Sequence, residues 1–445
     1  MSGFLLKTKK IFLLLGDILC LYLALYLTLA VRYWDNFDPQ SWEIHSQAFS
    51  FIFACWLVVF FISDLYDLKT SYNNLALATS YAKAMIINGV IAVLLFYFLA
   101  PLFPAIKPQR VLVIDLVVSS IILIGWRKIF YNLIKSPQIA NRVLIIGDNS
   151  LSQELVEEIK KRPQLGYQVQ IIPAPPDNLK TFCLDRQTNI LVTAKELQAD
   201  AATASKIFDC LSLGVDVYNL NGFYEQIAQK IPVENIEMSW FLENLAENTK
   251  KSYEIAKRLM DIILAILGLI VTLPLLPIII LIIKIESPGP IIFKQIRVGK
   301  NGKDFLAMKF RSMVRDAEKN GAQWATKNDP RVTKFGRLMR KTRLDEIPQL
   351  INILKGEMSL VGPRPERPEF IETLSREIPF YRERLLAKPG LAGWAQLMGP
   401  AYGGSKEETL EKLKFDLYYI KNRSLSLDLG VILKTISVVL GGRGQ

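Results

Sequence analysis

Among 445 residues the chain has one histidine, His45. A nucleophile activated by histidine is excluded everywhere except one polar segment, where His45 reads as a solvated loop residue. Acid–base and nucleophilic work therefore falls to carboxylates, lysine, tyrosine or hydroxyls. Cysteine is scarce as well, with Cys20, Cys55, Cys183 and Cys210 and no C-x-x-C spacing. That removes a zinc site and a disulfide framework. Zinc-finger, RRM and helix-turn-helix patterns are missing, and the net charge of +12 is scattered rather than gathered in one patch. Nucleic acid is not an expected partner.

What the chain has in excess is apolar surface and positive charge. Hydrophobic residues make up 51% of it, and its mean hydropathy is +0.23. Together these predict a membrane protein with a large cytoplasmic part. Four apolar runs, at 11–31, 48–66, 82–101 and 111–127, are each near the ~20 residues that cross a hydrocarbon core as a helix. Lys7, Lys9 and Lys10 precede the first run. Arg127, Lys128, Lys135 and Arg142 follow the fourth, and the first loop carries Asp35, Asp38 and Glu43. The bias puts the N-terminus and everything after 127 on the cytoplasmic side; Lys107 and Arg110, in the third loop, count against it.

Residues 136–245 change character. "RVLIIG" (142–147), "YQVQIIP" (167–173), "NILVT" (189–193) and "VDVYNL" (215–220) read as strands. A helical pattern follows the first, and another lies near 197–212. Alternation of this kind predicts a parallel, doubly wound sheet. The first strand-to-helix turn, "GDNSLS", has Gly147 alone instead of G-x-G-x-x-G. The expectation is a degenerate Rossmann-like module with a structural or regulatory role.

A fifth apolar run, 259–285, has Pro274 and Pro277 near its middle. Each removes a backbone donor and bends a helix. Both flanks are basic, with Lys250, Lys251, Lys257 and Arg258 before and Lys284, Lys294, Arg297 and Lys300 after. Both ends are therefore expected on one face, as a re-entrant hairpin helix. An ordinary proline-kinked span is the competing reading.

The C-terminal third, 250–445, carries the chemistry. "IIFKQIRVGKNGKDFLAMKFRSM" (291–313) reads as a hairpin turning at Asn301-Gly302. Its second strand is expected to present Lys309 and Arg311 on one face, with Ser312 capping a following helix. Arg337, Arg340 and Lys341 have helical spacing that converges toward Asp345. Asp345 and Glu346 precede Pro348, a residue suited to a first helical turn, with Gly356 as the C-cap. A helix dipole and nearby arginines would favour ionised carboxylates there. An ionised Asp can attack phosphorus, guanidinium groups can neutralise the phosphate under attack, and Mg²⁺ can bridge a carboxylate and a diphosphate. Adjacent Asp-Glu pairs are nonetheless most often surface or N-cap residues.

The blocks "FKQIRVGKNGKDFLAMKFRSM", "NDPRVTKFGRLMRKTRLDEIPQLINILKGEMSLVGPRPE", "KPGLAGWAQLMG" and "LSLDLGVILKTISVVLGGRG" occur in that order. They resemble the bacterial sugar transferases, the monotopic polyprenyl-phosphate phosphoglycosyl transferases. With its four-helix front end (1–135) and α/β module, the chain is similar to the large members, which start exopolysaccharide, capsule or O-antigen synthesis. The resemblance implies a mixed α/β cytoplasmic catalytic domain on the bacterial inner membrane. It implies transfer of a sugar-1-phosphate from a UDP-sugar to undecaprenyl phosphate, with release of UMP, Mg²⁺ as cofactor, and a homodimer. Asp345 would be the nucleophile, forming an aspartyl-phosphosugar intermediate. Glu346 would help by holding Mg²⁺ or managing a proton. Lys309, Arg311, Arg340 and Arg364 would bind diphosphate or nucleotide, and "GEMSLVGPRPE" would line the nucleotide pocket, stiffened by Pro363 and Pro365. Trp394 would face the pocket or the interface, or else simply pack. The family often has Ser or Thr before "LDE", where this chain has Arg343. A membrane-bound nucleotide-sugar dehydratase or epimerase would need an intact glycine fingerprint and a Tyr-x-x-x-Lys pair; Tyr253 and Lys257 have the spacing, but at a domain edge. An assembly scaffold would need no carboxylate pair.

Overall fold

The computed structural model describes residues 2–34, 37–66, 68, 74–99, 108–135, 140–194, 200–245, 251–314, 317, 329–400 and 405–440. The chain forms two compact units, 1–228 and 229–445. Lys107 and Lys250 and most of the helix expected after Ser312 lie outside the described residues.

The first unit opens with four apolar helices, α1 (Ser2–Tyr33), α2 (Pro39–Ile62), α3 (Asn74–Leu99) and α4 (Pro108–Lys135). Among the described residues, four helical stretches are long and apolar enough to cross a membrane: Thr8–Tyr33, Pro39–Ile62, Thr79–Tyr97 and Lys251–Glu286. The helix α2 begins earlier than the apolar run does, because Asp38 caps it, accepting from the Ser41 amide at 2.7 Å, and Pro39 opens it. That overturns the loop reading of His45. The residue is buried on α2, with Nδ1 2.8 Å from the Ser41 carbonyl one turn back. Arg127 is also displaced from its expected place as a basic flank. It is buried inside α4, donating to Asp17 at 2.5 Å and to the Leu65 carbonyl at 2.8 Å. A charge-bias count based on Arg127 therefore overstates the asymmetry.

The α/β part of this unit has four strands, β1 (Asn141–Ile146), β2 (Tyr167–Ile172), β3 (Ile190–Thr193) and β4 (Asp216–Asn219). They form one parallel sheet in the order β2-β1-β3-β4. The crossover helices, Ser150–Lys160 and Ala201–Leu211, are capped by Asn149 and Asp200. Apolar side chains on β1 and β3 leave no polar edge in the sheet's centre, as parallel strands covered on both faces require. All four cysteines are free thiols; the sulfurs of buried Cys183 and Cys210 stand 4.0 Å apart.

The second unit begins at 229, short of the boundary near 250 expected from composition. Its long apolar helix runs Lys251–Thr272, breaks into a 3₁₀ turn at Leu273–Leu275 and resumes as Leu276–Glu286. Pro274 and Pro277 occupy the break, where a missing N–H costs least. The strands β5 (Ile292–Val298) and β6 (Asp304–Phe310) pair antiparallel across Asn301-Gly302, both at positive φ (57° and 76°). Two positive φ values suit a right-twisted hairpin, and Asn-Gly adopts them most cheaply. A short parallel pair, β7 (Ser359–Val361) with β8 (Gly390–Ala392), closes the unit. There a Cβ on Gly390 would stand 2.0 Å from the Gly362 nitrogen, so only glycine admits this backbone approach. One core joins Ala265, Ile279 and Ile283 of the membrane-type helix to Phe305, Phe310, Met339, Leu350 and Ile353. Trp394 packs in a second core, buried, with its indole donating to the Gln229 carbonyl at 3.1 Å.

Candidate active site

Four segments of the second unit deliver charged groups to one place. The helix Lys334–Thr342 is capped by Thr333 and ends at Arg343, in the left-handed region at φ 58°. The reversed backbone starts a 3₁₀ turn, Leu344–Glu346, that carries Asp345 and Glu346 into the interior. Pro348 then caps the helix Gln349–Lys355, which stops at Gly356, also left-handed. Lys309 arrives from β6, and Arg364 from the segment after β7.

Asp345 and Glu346 are 6% and 4% exposed, so the pair is not surface decoration. Their environments differ sharply. Glu346 Oε1 accepts from Lys309 Nζ at 2.9 Å and Arg364 Nη2 at 2.9 Å, with Arg343 Nη1 at 3.4 Å. Burial pushes the Glu346 carboxyl up, but Lys309, Arg364 and Arg343 outweigh it and hold it well below the usual range. Asp345 has no such shell. Its Oδ1 is buried with no hydrogen-bond partner among the described residues. Burial, then the charge of Glu346, raises its carboxyl above the ordinary aspartate value, against Lys309, Arg340 and Arg343. The acids expected to be ionised alike are therefore shifted in opposite directions, Glu346 down and Asp345 up. Desolvation is the larger effect where no donor is supplied. A buried carboxylate oxygen beside a fixed cation cluster has acceptor capacity that the described residues do not use.

The other expected residues divide. Arg340 is in place: its Nε donates to Ser312 Oγ at 3.0 Å, and burial lowers its pKa while Asp345 draws it back up. Pro363 and Arg364, of the block expected to form a pocket, line a shallow cleft with Pro365 and Glu366, about 230 Å³ of space that includes open solvent. Arg364 therefore belongs both to that cleft and to the Glu346 cluster. Arg311 does not join Lys309. It lies just past β6, buried, and donates to the carbonyls of Pro290, Ser287 and Ile283. There it satisfies the orphan end of the membrane-type helix, since a helix leaves its last carbonyls unpaired. Arg337 and Lys341 are exposed, so only Arg340 of that run turns toward Asp345. Ser312 is not a helix cap here: its carbonyl accepts from Thr333 and its hydroxyl holds Arg340.

Sequence reasoning missed Asn352. It is fully buried; Oδ1 accepts from the Met308 amide at 3.1 Å, while Nδ2 donates to the Leu306 carbonyl at 2.8 Å and to Glu357 at 2.6 Å. This clasp fixes the Gln349–Lys355 helix against β6, and with it the spacing from Glu346 to Lys309. An asparagine on the apolar face of "QLINILKG" was the available signal.

Mg²⁺ commonly takes one or two carboxylates and completes its shell with substrate phosphates and water. The Asp345 carboxylate fits that donor set. Glu346 Oε1 fits it poorly, crowded by three cations. Among the described residues no group of three or more His, Cys, Asp or Glu gathers as a protein-only metal cage. Tyr253 and Lys257 do not form a free catalytic pair, since both bond Asp428 Oδ2 at 2.8 Å.

Comparison with known proteins gives the same region most weight. The bacterial sugar transferase family profile matches residues 252–442. The chain is 41% identical over 237 residues to a UDP-N-acetylgalactosamine-undecaprenyl-phosphate N-acetylgalactosaminephosphotransferase of Aeromonas hydrophila, covering 53% of this chain and 55% of that protein. It is 34% identical over 325 residues to the UDP-glucose:undecaprenyl-phosphate glucose-1-phosphate transferase of Escherichia coli, covering 66% of each. It is 39% identical over 201 residues to the exopolysaccharide production protein PSS of Rhizobium leguminosarum, covering 43% of this chain and 98% of that protein. The chain thus spans little more than half the length of the first of these relatives.

Proposed function

Since the chain belongs to the bacterial sugar transferase family, we propose that it moves a sugar-1-phosphate from a UDP-sugar to undecaprenyl phosphate and releases UMP. This would be the first membrane step of an exopolysaccharide, capsule or O-antigen. The carrying observation is the asymmetry of the acid pair, one carboxylate saturated by cations and its neighbour buried and unpartnered.

In this reading Asp345 Oδ1 attacks the sugar-bearing phosphorus of the donor. The bond from that phosphorus to the bridging oxygen breaks, and UMP leaves with the electron pair. An oxygen of the lipid phosphate then attacks the same phosphorus and frees Asp345. Glu346 holds Lys309, Arg343 and Arg364 as one rigid positive wall, and fixed cations facing developing phosphate charge need no reorganisation at the moment of reaction. The cleft at Pro363, Arg364 and Pro365 would take the nucleotide. Mg²⁺, held by Asp345 with the donor's diphosphate, would supply charge neutralisation. Arg343 adds a cation to the wall where relatives often have a hydroxyl, and its left-handed φ suits Arg better than β-branched Thr.

The membrane arrangement follows from the substrates. A lipid acceptor cannot leave the bilayer, so the site must rest on it. A re-entrant hairpin at Lys251–Glu286 is supported by both ends engaging one unit. Near its start Arg258 donates to the carbonyls of Ile353 and Leu354, and at its end Glu286 accepts from the Phe335 amide. Residues on either side of the proline break, Leu269 and Ile279, belong to one core. The same reading places the catalytic unit on the cytoplasmic face of the inner membrane, makes the sheet of the first unit a degenerate Rossmann-like module, and includes a homodimer, which a monomer in native nanodiscs would remove.

The test is direct. Membranes holding the full chain are incubated with a panel of UDP-sugars, Mg²⁺ and undecaprenyl phosphate, and UMP is measured. Acceptor-dependent UMP release, abolished by Asp345→Asn and by EDTA, is expected. Release that survives Asp345→Asn would remove the nucleophile assignment.

A further inference from the structure

A second cleft lies apart from the acid pair. It is a shallow cleft spanning about 350 Å³ of space that includes open solvent, and none of Lys309, Arg343, Asp345, Glu346 or Arg364 lines it. Its charged walls are Lys257, Arg258, Lys388 and Arg423 against Glu254 and Asp261. Most of these are already matched. Lys257 pairs with Asp428 at 2.8 Å, Arg423 with Glu254 at 3.3 Å, and Arg258 donates to two carbonyls. Asp261 accepts from the Leu360 amide at 3.0 Å.

Lys388 is the exception. Half-buried, it has no hydrogen bond or ion pair among the described residues. It also faces another cation. A Cβ on Gly356 would lie 3.5 Å from Arg258 Nη2 and 3.7 Å from Lys388 Nζ, so both positive groups border the same backbone position. Like charges held this way repel, and more strongly as water is excluded. Burial, then the neighbouring Arg258, lower the Lys388 pKa against the attraction of Asp261 and Glu254, carboxylates of the same cleft that make no hydrogen bond to it. An anion between them would relieve the repulsion and give Lys388 the acceptor it lacks.

The cleft's position narrows the choice of anion. Glu254, Lys257, Arg258 and Asp261 follow helical spacing on one face of the helix Lys251–Thr272. The adjoining face shows Ile255, Leu259 and Ile263 at 65%, 58% and 57% exposure, the apolar beginning of the Lys251–Glu286 stretch. The basic cleft thus opens beside the apolar face, at the level where that helix would enter lipid. Headgroup phosphates lie at that depth.

We propose that the cleft around Lys388 and Arg258 is a binding site for the phosphate of a membrane lipid, separate from the phosphate site at Asp345 and Glu346. The phosphate could be carried by a polyprenyl phosphate or by a bilayer phospholipid; the chemistry recognised is the same. Ala387 lines this cleft and also the one containing Arg364, so a lipid phosphate here would lie next to the proposed nucleotide cleft.

The experiment reads binding rather than turnover, so it stands even if no UDP-sugar releases UMP. The full chain in neutral detergent is titrated with undecaprenyl phosphate, phosphatidylglycerol, phosphatidylcholine or inorganic phosphate, and the melting midpoint is followed. Wild type is expected to be stabilised by a phosphate-bearing anionic lipid more than by phosphatidylcholine. Lys388→Gln should weaken that response at least tenfold in concentration, Lys388→Arg should keep it, and Asp345→Asn should keep it. Preference for undecaprenyl phosphate over phosphatidylglycerol would make this an acceptor-holding site; equal response would make it a headgroup site. An unchanged titration in Lys388→Gln, or stabilisation by inorganic phosphate alone, would overturn the proposal. The ligand-free melting midpoint of Lys388→Gln shows whether the variant folds. It is expected to match or exceed wild type, since a cation facing Arg258 is gone.

Discussion

Replacing the two adjacent acids one at a time should separate stability from chemistry. Glu346→Gln removes the anion that Lys309, Arg364 and Arg343 approach at 2.9, 2.9 and 3.4 Å. Deleting one side of a buried ion pair costs about 3–5 kcal/mol, because the other charge is left uncompensated. The three cations keep 26%, 37% and 30% of their side-chain surface exposed, so water reduces the cost to about 2–3 kcal/mol. For a unit the size of 229–445, that lowers the melting midpoint by roughly 5–10 °C. Asp345→Asn should behave in the opposite way. The change is nearly isosteric, Oδ1 has no partner to lose, and burial already favours the uncharged form. Stability should stay within about 0.5 kcal/mol of wild type or rise, while UMP release falls by about 10³-fold or more with the nucleophile gone. Scanning fluorimetry in detergent at one fixed scan rate, paired with UMP release, checks both. Equal midpoint losses in the two variants, or the larger loss in Asp345→Asn, would refute the assignment of distinct roles.

The raised Asp345 carboxyl and the depressed Glu346 carboxyl predict opposite pH behaviour. Between the ordinary aspartate value and the raised one, the folded chain holds a proton that the unfolded chain has lost, so stability falls as pH rises there while turnover climbs. Asp345→Asn should remove that fall; the stability owed to Glu346 should be lost only as pH drops below the ordinary glutamate range, a loss absent from Glu346→Gln. Arg311→Met should lower the melting midpoint, by about 1–3 kcal/mol for the carbonyls left unsatisfied, and leave the donor KM unchanged; a shift in KM alone would return Arg311 to the substrate. Asn352→Ala unclasps β6 from the next helix and should cost about 2 kcal/mol or more, lowering kcat as Lys309 drifts from Glu346. Cysteine probes at Glu254 and Lys300 should be labelled from one and the same side of the membrane, and labelling from opposite sides would make Lys251–Glu286 a true span.

Much of this was legible in the chain because the deciding forces were local. The strands β1 to β4 appeared as short apolar runs between helical patterns, and a fully covered parallel sheet leaves that trace. Asn301-Gly302 and Gly356 announced themselves because positive φ is cheap for those residue types. The order of the motifs from "FKQIRVGKNGKD" to "KPGLAGW" was enough to expect the family.

Residues whose partners are distant in sequence were another matter. His45 looked like a loop residue until Asp38 and Pro39 set where α2 begins. Arg127 looked like a solvated flank until Asp17, 110 positions away, was placed beside it. Lys309, on β6, and Arg311, just past its end, went to different tasks because only Lys309 had Glu346 across from it. The sequence by itself determined the elements, the acid pair and the proline break, since periodicity, turn chemistry and backbone restriction act over a few residues. The tertiary structure alone decided which acid receives the cations, which has an oxygen without a partner, and which lysine stands beside an arginine with no hydrogen-bond acceptor of its own. Electrostatics in a low-dielectric interior depend on distances of a few ångströms, and those distances are set by folding rather than by position in the chain.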